Sequence, residues 1–191
     1  MHRRALRALL ADYCRRHPEE GALTGRFIDF VEAHPDCFHR ELAVGHVTGS
    51  AWLVDRSGER VLLTHHRKLD IWVQLGGHAD GCPDLLAVAL AEAREESGLE
   101  AIAPVSAAVF DLDIHRIPAR GCEPAHDHYD VRFALQVTGP EDFRVGAESH
   151  DLAWVPVTQL ETYTREASMR RMAAKWRAQK AGGPQPARVL P

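Results

Sequence analysis

The chain has 191 residues, 45% of them hydrophobic, and a formal charge of -4 with its histidines neutral. That length holds one sizeable domain, or one domain with an appendage, and the negative balance argues against a general grip on nucleic acid. No apolar run reaches bilayer-spanning length. Cys14, Cys37, Cys82 and Cys122 lie far apart with no C-x-x-C pair, which reads as reduced thiols.

The first element is a helix over residues 2–16, where Leu6, Leu9, Leu10 and Tyr13 recur at spacings of three and four. It carries Arg3, Arg4, Arg7, Arg15 and Arg16 against one acid, Asp12. No apolar core follows the basic start, as a secretory signal requires, and the serines of a transit peptide are missing. A cytoplasmic location is therefore expected, with this helix as a solvated face or the contact of a homodimer. A second helix spans about Leu23 to Ala33 and stops at His34-Pro35, because a residue before proline avoids the helical region. These helices are expected to form an N-terminal appendage over residues 1–40. A main domain over 41–180 and a loose tail over 181–191 follow it.

From His46 the periodicity changes. Val47 to Val54, Arg60 to His65 and Ile71 to Leu75 read as short strands, with a turn at Asp55-Arg56-Ser57-Gly58. Gly76-Gly77 opens a loop, and Pro83-Asp84 starts a helix that Gly98 can end in a left-handed cap. Leu86, Ala89, Leu90 and Ala93 are expected to be its buried face. Val105 to Ile114, His128 to Val137 and Leu152 to Val157 read as further strands, Pro118 to Pro124 as an exposed loop, and Arg165 to Lys180 as a last helix.

The chemistry concentrates on the middle helix. Glu92, Glu95 and Glu96 sit at helical spacing and converge. At roughly 4 Å a pair of like charges costs about 1 kcal/mol in bulk water and about 4 kcal/mol at an effective dielectric near 20. A hard divalent cation turns that liability into a binding site, since Mg²⁺ prefers carboxylate oxygens. A solvated acidic face is the plain alternative. His126, His128 and Asp130 alternate along one strand and share a face, as a second metal site or, the reading preferred here, a polar rim. Arg132 continues that face and could bind a substrate phosphate. His78, directly after Gly77, is expected to face the site, whereas His65 and His66 read as turn residues. Trp52, Trp72 and Trp154 read as core rather than base-stacking groups.

The stretch from Gly77 through Glu92, Glu95, Glu96 and Gly98 to Leu99 resembles the signature of the Nudix hydrolases, G-x5-E-x7-R-E-U-x-E-E-x-G-U with U aliphatic. Pro83 stands where the signature has its first glutamate, Ala91 where it has the arginine that helps orient the metal-binding glutamates, and Ala93 at the aliphatic position. Arg94 is a candidate to replace that arginine in part. The resemblance implies an α/β fold: an α/β/α sandwich around a mixed β-sheet, to which the N-terminal helices are an addition. It also implies hydrolysis of a diphosphate linkage in a nucleoside diphosphate derivative or related phosphorylated metabolite.

On that reading Mg²⁺, or alternatively Mn²⁺, is held by Glu92, Glu95 and Glu96, with a backbone carbonyl at Gly77 as a further ligand. Glu148, or one of Glu95 and Glu96, is the general base, and His78 and Arg132 meet the substrate. Two other readings stay open: a weak or inactive nucleotide-binding sensor, which the loss of arginine at Ala91 favours, and an isopentenyl-diphosphate-isomerase-like enzyme. That isomerase family shares a Gly-His pair here but needs a cysteine before it, where this chain has Gly76.

Overall fold

The computed structural model describes residues 2–121, 124–146 and 149–182. Eight strands form one mixed sheet: β1 (Gly45–Val54), β2 (Arg60–His66), β3 (Ile71–Val73), β4 (Leu75–His78), β5 (Ile102–Pro104), β6 (Asp111–Ile117), β7 (His126–Val137) and β8 (Ser149–Pro156). Among the described residues four α-helices accompany it: α1 (Arg4–Arg16), α2 (Gly21–Ala33), α3 (Leu85–Ser97) and α4 (Ala167–Ala181). The central pair, β1 and β7, is parallel, and the other pairings are antiparallel.

Strand alternation sorts the side chains onto two faces. Val47, Ala51 and Leu53 of β1 and Val131, Phe133 and Leu135 of β7 join α1, α2 and α3 in one core. Trp52 and Val54 of β1, Ala134 of β7 and Val155 of β8 join Met169, Met172 and Trp176 of α4 in a second. Helices thus cover both faces of a mixed sheet, the sandwich expected from the sequence. The N-terminal helices belong to this packing, since Leu6, Leu10, Tyr13, Phe27 and Val31 are fully buried in the first core. No helix among the described residues is long and apolar enough to cross a membrane.

Several boundaries differ from expectation. The apolar stretch from Val105 is not one strand with Ile114: the ladder breaks between β5 and β6, although the backbone N–H groups of Val105 and Phe110 still donate to Ala134 and Arg132 of β7. Ile71 to Leu75 is divided at Gln74, before which β3 pairs with β2 and after which β4 pairs with β1. The Pro118–Pro124 stretch is described only in part, and most of the tail lies outside the described residues.

Helix α3 begins later than Pro83. Asp84 is its N-cap, accepting from the Ala87 N–H at 3.1 Å, and Gly98 ends it at φ +69. Its buried face is centred on Leu85, Val88, Ala89 and Ala93, with Leu86 and Leu90 half-buried. It packs close against β1 at Gly49, where a side chain would press on Val88.

Candidate active site

Strand β4 is the wall on which the site is built. Its register sets Gly76 opposite Ser50, Gly77 opposite Gly49 and His78 opposite Thr48. Alternation then turns Gly77 toward α3, while Gly76 and His78 face the other side of the sheet. A methyl group at Gly77 would collide with the Glu92 carboxylate. A methyl group at Gly76 would fall 2.8 Å from the Ser50 Cα. Close approach of backbone therefore requires glycine at 76, while the bare Cα of Gly77 lets the Glu92 carboxylate lie against the strand.

The helix carboxylates meet this wall. Glu96 Oε1 accepts the Gly76 N–H at 2.8 Å, and Glu92, one turn earlier, packs against Gly77. Both side chains are half-buried, whereas Glu95 is exposed on the neighbouring flank of the helix. Glu92 and Glu96 are brought together with Gly77, and Glu95 lies at the margin. Glu148 lies outside the described residues.

Ala91 is exposed, and Arg94 does not stand in for the missing arginine. Its guanidinium turns toward the carbonyls of Glu100 and Ile102, at 3.4 and 3.5 Å, at the far end of the helix. The cation near Glu92 comes instead from the loop before β1. Arg40 pairs with Asp80 at 2.6 Å, and that hydrogen bond raises its pKa, with the Glu92 charge adding to the effect. No sequence motif marks Arg40, because its partner lies on a loop forty residues away.

Beyond Gly76 the other face of the sheet is polar and largely buried. Thr48 and Ser50 donate to Asp130 Oδ1 at 2.8 and 2.7 Å, and Gln74 donates to its other oxygen at 3.2 Å. Arg132, expected at a substrate phosphate, is 2% exposed and held by Asp130, Asp111 and Asp113 at 2.7, 3.2 and 3.3 Å. Its side chain is committed to this network rather than presented to a ligand. The network extends through Arg171 and Lys175 of α4 to Tyr13 and Glu20, so it ties the N-terminal segment to the sheet. Burial raises the Asp130 pKa, but the Arg132 and His115 charges and the hydrogen bonds it accepts outweigh that and hold it below the ordinary carboxylate value.

Above Asp130 the face becomes imidazole. Parallel pairing of β1 with β7 and antiparallel pairing of β6 with β7 set His46, His128 and His115 side by side on three strands. Ring centroids lie 4.8 Å apart for His46 and His128, 5.0 Å for His46 and His78, 4.9 Å for His46 and His126, and 5.4 Å for His115 and His128. Burial, then the neighbouring His78 and His126, push the His46 pKa down to about 4. Burial, then His115 and His46, push that of His128 down to about 2. His78 therefore faces this cluster, and His126 and His128 share the face that their alternation implied. Sequence reading missed His46.

The comparisons agree with this geometry. The NUDIX domain profile matches residues 45–176. This chain belongs to the Nudix family. The enzyme class expected from the sequence, a pyrophosphohydrolase acting on acid anhydrides, follows from that membership. No curated protein sequence matches the chain.

Among solved structures, an Ap4A hydrolase from C. elegans is similar over 71% of this chain and 98% of that one, at 17% identity and TM-score 0.57. The dihydroneopterin triphosphate pyrophosphohydrolase of E. coli is similar over 68% and 92%, at 15% identity and TM-score 0.55. A MutT protein from Methanosarcina mazei Go1 is similar over 73% and 97%, at 14% identity and TM-score 0.56. At these identities the likeness is one of fold. The Nudix profile begins at β1 and runs into α4, so α1 and α2 precede it.

Proposed function

We propose that the chain hydrolyses a diphosphate linkage in a nucleoside diphosphate derivative or a related phosphorylated metabolite, using Mg²⁺ or, alternatively, Mn²⁺. The observation that carries this reading is the fit of two glutamates against two glycines: Glu96 on the Gly76 N–H, Glu92 on the bare Cα of Gly77. These are hard oxygen donors, the set Mg²⁺ prefers. Glu92 and Glu96 would hold the ion, with the Gly77 carbonyl and, from the exposed flank, Glu95 as further ligands. When bound, the ion neutralises phosphate charge and acidifies a water.

The chain's own residues position everything else. The Gly76 N–H fixes one Glu96 oxygen and so holds the carboxylate against β4. Arg40 and Asp80 brace the loop beside Glu92. The general base is Glu95, Glu96 or Glu148. A small phosphorylated substrate fits this reading, as does a cytoplasmic setting.

The test is release of phosphate or nucleoside monophosphate from a panel of diphosphate-linked substrates with Mg²⁺. Glu92→Gln and Glu96→Gln should each cut turnover by about an order of magnitude or more and weaken Mg²⁺ binding, with the fold retained by circular dichroism. Unchanged rates in both variants would remove those roles.

A second reading, a weak or silent nucleotide sensor, is favoured by the orientation of Arg94, which leaves Ala91 uncompensated on the helix itself. Ala91→Arg separates the two. A several-fold gain in turnover is expected if the orienting contact is simply missing, and tight ligand binding with no turnover in either form supports the sensor.

A further inference from the structure

We propose that His46, His78 and His128, with His126 at their side, form a binding site for one divalent transition-metal ion of the Zn²⁺ class, distinct from the carboxylate site on α3. One ring nitrogen from each of the first three lies within 4.8 Å of the others, although they come from three different strands. His46 is 1% exposed, and neither of its ring nitrogens has a hydrogen-bond partner among the described residues. A buried polar atom left unpaired is costly, so an arrangement that orphans both nitrogens of one ring calls for a ligand. A cation at the centre of the cluster supplies it.

The fourth histidine strengthens the geometry. His126 Nε2 lies 3.3 Å from His128 Nε2, and its Nδ1 lies 2.9 Å from the Pro124 carbonyl. Two donors at about 2.0–2.1 Å from a tetrahedral ion stand roughly 3.4 Å apart. The carbonyl contact is the usual partner of a metal-bound imidazole: with Nδ1 donating to it, the Nε2 lone pair is directed inward. The donor set also selects the ion. Imidazole nitrogen suits Zn²⁺, Ni²⁺, Cu²⁺ and Fe²⁺, whereas Mg²⁺ seeks oxygen. Burial keeps the His46 and His128 rings neutral at neutral pH, the form that coordinates.

Position separates this site from the first. His78 is the residue after Gly77, so successive side-chain positions of one strand serve opposite faces. The histidine site lies on the face of Thr48, Ser50 and Asp130, and Glu92 lies on the face of α3.

The experiment uses the full chain, stripped with chelator and titrated calorimetrically with Zn²⁺, then loaded with Co²⁺ for visible absorption. One equivalent of Zn²⁺ should bind, and Co²⁺ should give the ligand-field bands of nitrogen coordination. His46→Asn and His128→Asn should each weaken Zn²⁺ binding on the order of 100-fold or more, while the Glu92→Gln/Glu96→Gln double variant leaves it unchanged. Should the buried variants fail to fold, His78→Asn, half-buried at the end of β4, carries the same expectation. Absence of Zn²⁺ binding in the unmodified chain, or full affinity in the folded histidine variants, overturns the proposal. So does loss of binding in the glutamate variant, which would place the ion on the carboxylates.

Discussion

At the scale of single residues, the two glycines of β4 make different demands. A Cβ at Gly77 meets the far end of a flexible glutamate, and one at Gly76 meets the Ser50 backbone. Gly77→Ala should therefore displace Glu92 and cut turnover while thermal stability changes little. Gly76→Ala should cost about 1–3 kcal/mol, the usual range for overpacking, in a urea titration. A similar fall in stability for both would mean that Glu92 is not free to move aside. The glutamates were legible in the sequence because three- and four-residue spacing places side chains on one helix without any knowledge of the fold. His46 was not legible: its neighbours in space lie on β4 and β7, and only strand register joins them. The role of Arg132 was misread for the same reason. Alternation gave its face correctly, but its aspartate partners at 111 and 113 come from β6 across the ladder.

At the scale of elements, α3 was the clearest. Its start near Pro83-Asp84, its acidic stripe and its terminal glycine were all local signals, and the structure keeps them with the start shifted to Leu85. The β5–β6 break was hidden, because Val105, Val109 and Phe110 have strand-like composition while Pro104 closes β5 without an N–H to donate. The ion-pair network linking β6, β7 and α4 was equally hidden, since charged residues scattered in sequence read as surface. It sets a strong expectation. Arg132→Leu leaves Asp130 and Asp111, both 2% exposed or less, without their shared guanidinium. Breaking a buried pair from one side costs about 3–5 kcal/mol, to be read from chemical denaturation. A loss under about 1 kcal/mol would show that Arg171 and Lys175 suffice for Asp111, and Thr48, Ser50 and Gln74 for Asp130.

At the scale of the whole molecule, stability should fall with acid in two stages. In the metal-free protein His46 and His128 titrate well below about 6.5, their value in the unfolded chain. The unfolded state then binds more protons than the folded one below that pH. Each histidine removes up to about 1.4 kcal/mol per pH unit as pH falls from 6.5 toward its folded value. Asp113 and Asp130 lie below the ordinary carboxylate value of 3.8 despite burial, held there in part by Arg132 and His115. Their stabilisation is full above that value and is lost as pH falls through their lower folded values. Melting temperatures in chelator between pH 7.5 and 3 should show the histidine stage first. A flat profile down to pH 4.5 would contradict the burial of those rings.

Because Gly77 and His78 share one peptide unit, an occupant on either side of β4 would pull on the same few atoms. A hard cation among the carboxylates and a softer one among the imidazoles would then sense each other mechanically, without a common ligand. Saturating the nitrogen side should alter the apparent Mg²⁺ affinity on the oxygen side, and linkage demands that the effect be equal in reverse. A strand four residues long would thus act as a lever between two inorganic sites.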